Sequence, residues 1–332
     1  MSRVLDIEGL TVGFETGGRR FDAVREVDLA LDGGEVLALV GESGSGKSVT
    51  ALAVMGLLPE VAEITAGTIR FEDRDLARLG EAEMAAVRGA RIGLIFQEPM
   101  TSLNPTMRVG PQVAEVLRLH KRAGAAAARR AVEELFALVR IPDPAARYDD
   151  FPHQMSGGMR QRVVIALALA CRPALLIADE PTTALDVTTQ AQILELFRDL
   201  QREIGQATIL ITHDLAVVAE TAHRVAVMYA GRIVEESASE ALFAGALHPY
   251  TRGLLRSIPV VRTGPAAGHP RRLVEIPGTV PPPWDLPQGC AFAPRCPRAS
   301  ARCRAERPPL MPFDGGRRAA CWHPHVERED AA

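Results

Sequence analysis

No apolar run in this 332-residue chain approaches the roughly 18 to 20 residues that span a bilayer. Any membrane role must therefore come through partner proteins. There is no excess of charge of either sign: the net charge is −3, so no broad basic face argues for nucleic acid. The opening Met1-Ser2-Arg3-Val4-Leu5-Asp6 lacks the charged-then-apolar pattern of a signal peptide. No internal repeat is found. Cysteine is scarce, and the paired C-x2-C knuckles of common structural zinc sites are missing. These absences leave a cytoplasmic globular protein, long enough for a substantial core and more than one unit.

Strand-like apolar runs recur at Val36–Val40, Ile92–Phe96, Leu175–Ala178, Thr208–Ile211 and Val225–Tyr229. Helix-like stretches alternate with them at Lys47–Leu58, Val132–Val139, Arg160–Ala170, Thr188–Ile204 and Leu215–Ala222. That alternation predicts an α/β fold with a parallel sheet covered on both faces. Between about Asn104 and Gln154 there is no strand signal, which reads as a helical insertion carrying Val109–Leu119 and Gly124–Val139. Composition then shifts. Of the 24 prolines, 14 fall between Pro259 and Pro324, with both tryptophans and four of the five cysteines. The fifth, Cys171, follows an apolar stretch and reads as a small buried thiol.

Gly41-Glu42-Ser43-Gly44-Ser45-Gly46-Lys47-Ser48 matches G-x-x-x-x-G-K-[ST] and sits between a strand and a helix, the setting a phosphate loop needs. Glycines let backbone N–H groups turn onto phosphates, and the helix N-terminus adds a favourable dipole. Lys47 is expected on the β- and γ-phosphates and Ser48 on Mg²⁺. Asp179, ending a buried strand, is a second Mg²⁺ candidate. Glu180 points elsewhere, because side chains alternate along a strand, and is the candidate for polarising the attacking water. His213, at another strand-to-helix turn, either contacts the γ-phosphate and water or serves as a cap. Gln97, just before the insertion, is placed to touch Mg²⁺ and water while coupling the insertion to nucleotide state.

Met155-Ser156-Gly157-Gly158-Met159 completes a set that, with Thr183-Ala184-Leu185-Asp186, resembles the ATP-binding subunit of an ABC transporter over about residues 5–236. The resemblance implies a P-loop, RecA-like nucleotide-binding domain over 1–236, its helical subdomain at about 98–168. It further implies that Ser156, Gly157 and Gly158 meet ATP held by a second subunit, that Asp186 lies at the subunit junction, and that Phe14 stacks on adenine. Phe21 is the second aromatic candidate, and either ring would serve equally as packed core. The fifth signature position is Met159, where the wider family usually has Gln; Gln161 follows two residues later.

Residues 237–332, with His248-Pro249-Tyr250-Thr251-Arg252-Gly253-Leu254-Leu255, Ile276-Pro277-Gly278 and Pro294-Arg295-Cys296-Pro297, are similar to the C-terminal extension of oligopeptide and dipeptide importer ATPases. Gln97-Glu98-Pro99-Met100-Thr101-Ser102-Leu103-Asn104-Pro105 also fits that subgroup. Locally, His248-Pro249-Tyr250 reads as a helix start. Cys290, Cys296, Cys303 and Cys321 are spaced C-x5-C-x6-C-x17-C. Disulfides are improbable in such a setting, and four thiolates can hold either Zn²⁺, with His323 as an alternative ligand, or an iron–sulfur cluster. The resemblance implies [4Fe–4S].

The whole points to peptide uptake driven by ATP hydrolysis at the cytoplasmic face of the cell membrane. The implied partners are a second, homologous ATPase, two permease chains and an extracytoplasmic binding protein. Import of nickel, glutathione or another small solute is the alternative, and a soluble ABC protein outside transport the more distant one.

Overall fold

A computed structural model describes residues 2–96, 102–183, 185–258 and 275–325. Two sheets organise them. In the larger, strands β9 (Arg224–Tyr229), β3 (Val36–Val40), β8 (Ala207–Thr212), β7 (Leu175–Asp179) and β6 (Ile92–Ile95) lie side by side and parallel. Every residue of Val36–Val40 and Leu175–Asp179 is buried. Such strands read as continuous apolar runs because helices cover both faces, which is why they were legible. The expected α/β class with a parallel sheet is what the chain adopts.

The smaller sheet was not expected. It is antiparallel and pairs β2 (Arg19–Asp32), β1 (Arg3–Thr16), β4 (Ala62–Phe71) and β5 (Arg74–Asp75) in that order. Its inward residues are Leu5, Ile7, Leu10, Val12, Val24, Val27, Leu29 and Leu31. The period of two slips between Ile7 and Leu10 and between Val24 and Val27, and register shifts occur at the Ile7–Leu10 step. A bulge of this kind inserts an extra residue and hides the alternation from a pattern search.

The insertion is helical, as expected: Val109–Lys121, Ala125–Leu138 and the short Pro144–Arg147. Val109, Val113, Val132 and Phe136 pack with Val163 and Leu169 of the helix Gly157–Leu169 in one core cluster. Two boundaries differ from expectation for capping reasons. The helix Lys47–Met55 stops short of Leu58 because Gly56 takes a left-handed conformation, φ 58°. The helix after Ser156 begins at Gly157 rather than Arg160, since the Ser156 hydroxyl accepts the Met159 N–H at 3.3 Å.

The C-terminal segment does not stand apart. Beyond β10 (Arg232–Ala238), which runs antiparallel to β9, strands β11 (Met311–Phe313) and β12 (Arg317–Ala319) extend the large sheet. Tyr250 and Phe292 share a buried cluster with Val225, Val227 and Tyr229. A segment poor in apolar residues thus folds by borrowing the sheet's face.

Candidate nucleotide site

The loop Gly41–Ser48 leaves β3 and enters the helix Lys47–Met55. Two of its glycines are imposed by neighbours. A Cβ at Gly41 would meet the Met228 carbonyl oxygen at 2.2 Å, and one at Gly46, φ 104°, would meet the Ala23 carbonyl at 2.8 Å. The loop is therefore pressed between β9 and β2. The buried Lys47 ammonium donates to the carbonyls of Gly41 and Glu42 at 2.8 and 3.0 Å and lies 3.3 Å from Ser45 Oγ. Burial lowers its pKa, while Glu180, Asp179 and Glu42 oppose that shift. A cation folded onto its own loop in this way is ready to move to an anion. Ser43 and Gly44 are exposed and Ser45 is buried.

Asp179 and Glu180 end β7 with different surroundings. Asp179 is buried, and burial pushes its carboxyl above the usual range even though the Ser48 side chain hydrogen-bonds it. Its Oδ1 has no hydrogen-bond partner among the described residues. A buried, unpartnered carboxylate oxygen next to the Ser48 hydroxyl suits a hard oxygen-seeking cation such as Mg²⁺. Glu180 has a left-handed backbone, φ 47°. Its Oε2 accepts the Thr183 hydroxyl at 2.8 Å, and Oε1 lies 3.1 Å from His213 Nδ1. Burial disfavours its charge, but the bonds from Thr183 and His213 and the charge of Lys47 prevail and hold the carboxyl below its ordinary range. It is ionised at neutral pH. His213 is two-thirds exposed, so beyond Glu180 it faces solvent.

Ser156 and Asp186 each cap a helix. Asp186 accepts the Thr189 N–H at 2.9 Å and the Thr189 hydroxyl at 2.7 Å at the start of Val187–Ile204. The two turns adjoin, because a Cβ on Gly158 would meet Thr189 Cγ2 at 2.7 Å. Gln161, two residues beyond the signature's fifth position, is fully buried and donates to the Pro181 carbonyl, tying the signature helix to the residue after Glu180. Phe14 stacks on Phe21 with ring centroids 5.8 Å apart, and Trp284 meets Phe21 edge-on at 5.5 Å. The tryptophan's part in that aromatic group had no signal in the sequence. Gln97 lies outside the described residues, as do Glu98 to Thr101 and Ala184. Glu42 belongs to the loop, but its carboxylate and amide turn toward the C-terminal segment.

Comparison with known proteins meets this geometry from two sides. A family model described as ABC transporter matches residues 24–183, and one described as Oligopeptide/dipeptide transporter, C-terminal region, matches 234–303. The chain is 48% identical over 321 residues to the dipeptide transport ATP-binding protein DppD of Escherichia coli (strain K12), covering 97% of each. It belongs to the oligopeptide/dipeptide family of ABC transporter ATP-binding subunits. The oligopeptide transport ATP-binding protein OppD of Bacillus subtilis (strain 168) is 51% identical over 328 residues, covering 98% of this chain and 90% of that one. Among solved structures, the dimeric post-hydrolysis state of the ATP-binding cassette MJ0796, bound to ADP and Pi, covers 71% of this chain and 98% of its own. Its TM-score is 0.64 at 27% identity. This ABC ATPase thus has the nucleotide-hydrolysing fold its motifs announce.

The four C-terminal cysteines come together in a more limited sense. Cys290, Cys296, Cys303 and Cys321 line one small cavity with His323, of about 10 Å³. That is about the space of a single water. Among the described residues no group of three or more His, Cys, Asp or Glu side chains is arranged to hold a metal ion. All are free thiols, and burial raises the pKa of Cys290 and Cys296 and pushes Cys321 up to about 11. His323 Nε2 lies 2.8 Å from Ser300 Oγ rather than joining the sulfurs. The donor type suits a thiophilic metal.

Proposed function

We propose that this ABC ATPase powers uptake of di- or oligopeptides, bound peripherally at the cytoplasmic face of the cell membrane. The observation that carries the reading is the match of its C-terminal segment to the oligopeptide/dipeptide transporter region, joined to a complete phosphate loop and carboxylate pair. The relatives' names, dipeptide and oligopeptide transport ATP-binding proteins, support the substrate class. No helix among the described residues is long and apolar enough to cross a membrane.

In this reading Lys47 leaves the carbonyls of Gly41 and Glu42 for the β- and γ-phosphates, and the loop N–H groups take the remaining phosphate oxygens. Ser48 and Asp179, and Gln97 as the sequence offers it, would hold Mg²⁺, which when bound would offset charge on the phosphates. Glu180, ionised and oriented by Thr183 and His213, draws the proton of the attacking water. Phe14 offers its ring to adenine. The Ser156–Gly158 turn faces the phosphates of a second, homologous ATPase subunit, with Asp186 at the junction. The dimeric state of the MJ0796 cassette supports that arrangement. Two permease chains and an extracytoplasmic binding protein complete the importer.

The test is purification of this chain from detergent-solubilised native membranes under anaerobic conditions, with mass spectrometry of its companions. Two polytopic proteins, a second ATPase and a peptide-loaded binding protein are the expected result. A binding protein loaded with nickel, glutathione or another solute would overturn the substrate class, and recovery of only soluble partners would overturn transport.

The same preparation addresses the cysteines. We assign them to a resident [4Fe–4S] cluster, supported by four thiols lining one cavity; Zn²⁺ is the competing occupant. Metal binding would deprotonate these thiols, because a thiolate is the ligating form. About four irons and four labile sulfides per chain are expected, with loss of both in Cys296→Ser. One zinc, or no metal, would overturn the assignment.

A further inference from the structure

We propose that Arg295 and Tyr250, both in the C-terminal segment, are positioning residues for the phosphate loop, latching its second residue, Glu42, in place. This rests on Gly41–Ser48 being the phosphate loop. The Arg295 guanidinium grips the Glu42 carboxylate with both prongs, Nη1 to Oε2 at 2.7 Å and Nη2 to Oε1 at 3.0 Å. Its side chain is only 5% exposed. It also donates to the Pro277 carbonyl at 2.9 Å and the Ile276 carbonyl at 3.4 Å, and Nη1 lies 3.4 Å from the Tyr229 hydroxyl. A two-pronged, largely buried pair with its remaining donors satisfied is held far more firmly than an exposed ion pair.

The rest of Glu42 is held as well. Its amide donates to the Tyr250 hydroxyl at 2.9 Å, and its carbonyl accepts from Lys47. Tyr250 is fully buried, its ring packed 4.6 Å from Tyr229 and 5.4 Å from Phe292. It stands in the first turn of the helix Pro249–Arg256, where His248 accepts the Tyr250 N–H at 3.1 Å. The helix start read from His248-Pro249-Tyr250 therefore aims a hydroxyl at the loop. Arg295 closes the short turn Ala293–Arg295, one residue before Cys296.

This arrangement matters when nucleotide binds. In the structure Lys47 braces the carbonyls of Gly41 and Glu42. Once Lys47 turns to the phosphates that brace is lost, and Arg295 and Tyr250 are what keep Glu42 from following it. A preshaped loop binds nucleotide without paying for its own ordering. The latch therefore sets nucleotide affinity and loop rigidity rather than the chemical step.

Nucleotide affinity is measured on the full chain with trinitrophenyl-ATP, and turnover in the complex recovered from membranes. Arg295→Met is expected to raise Kd about tenfold with kcat at saturating ATP little changed, the scale of one lost charge-assisted bond. Glu42→Gln, a change within the loop itself, is expected to raise Kd to the same extent. The double variant should be no worse than the poorer single. Tyr250→Phe removes one oxygen from a packed ring, and should speed hydrogen exchange at the Glu42 amide while the parallel strands keep their protection. Unchanged Kd in Arg295→Met and unchanged exchange in Tyr250→Phe would overturn the latch, as would losses that multiply in the double variant. If Arg295→Met fails to fold, Tyr250→Phe and Glu42→Gln decide. Lys47→Ala serves as the control: if it still binds nucleotide as the parent does, the phosphate-loop reading fails, whatever the latch variants do.

Discussion

Glu180→Gln is expected to bind ATP with the parent's affinity while turnover falls by about 10² to 10⁴-fold, the range of a lost general base. The contact with Thr183 survives without the charge: the Gln amide oxygen accepts the Thr183 hydroxyl as Oε2 does at 2.8 Å, side-chain length and backbone preference are close, and Asp179 and Glu42 still face Lys47. What disappears is the proton acceptor. The bonds from Thr183 and His213 keep Glu180 ionised against the cost of burial, and an amide in the same place cannot take a proton from water. Phosphate release at saturating ATP gives kcat, and equilibrium nucleotide binding gives Kd. Turnover within about threefold of the parent would remove Glu180 from the chemistry, and His213 would then be the group to examine. A variant losing both binding and turnover would mean that its carboxylate shapes the loop instead.

Gly41→Ala should be nearly as damaging, through sterics. The added methyl carbon would lie 2.2 Å from the Met228 carbonyl oxygen and 2.9 Å from Ser45 Oγ. The first is backbone of β9, a strand hydrogen-bonded to β3 and β10 on its two sides, so it is the loop that must yield. Overpacking of this kind costs about 1–3 kcal/mol, and here the displacement falls on the phosphate-binding amides, so nucleotide affinity should drop at least about tenfold. Gly44→Ala is the informative contrast. Its Cβ meets nothing within 4 Å, leaving only the strain of φ 77°, about 1–2 kcal/mol for a non-glycine residue. Calorimetry and nucleotide titration of both variants separate the two effects. Equal losses would show that backbone conformation, not contact with β9, makes the loop glycine-dependent.

The parallel sheet was legible because its strands are short, apolar and buried on both faces, so burial is written into consecutive residues. The antiparallel sheet was not, because register shifts around Gly9 and Glu26, both with positive φ, break its alternation. Helix starts were misjudged where a polar cap did what apolar periodicity could not announce, as at Ser156. In the candidate site, the placement of Lys47, Ser48, Asp179, Glu180 and His213 was readable, since each sits at or beside the end of a recognisable strand or the start of a helix. The contacts of Thr183, Gln161, Tyr250 and Arg295 were not, because their partners are set by how the chain packs.

The division follows from range. The phosphate loop, the carboxylate pair and the signature turn are each a few consecutive residues whose chemistry is carried by their flanking strand and helix, so sequence alone determined them. Glu42 and Arg295 are 253 positions apart, and Glu42 and Tyr250 are 208 apart. Phe21 and Trp284 likewise meet only across the fold. Such contacts leave no local periodicity or spacing to read. They exist because the C-terminal segment, unable to bury enough apolar surface by itself, closes over the same sheet edge from which the phosphate loop emerges.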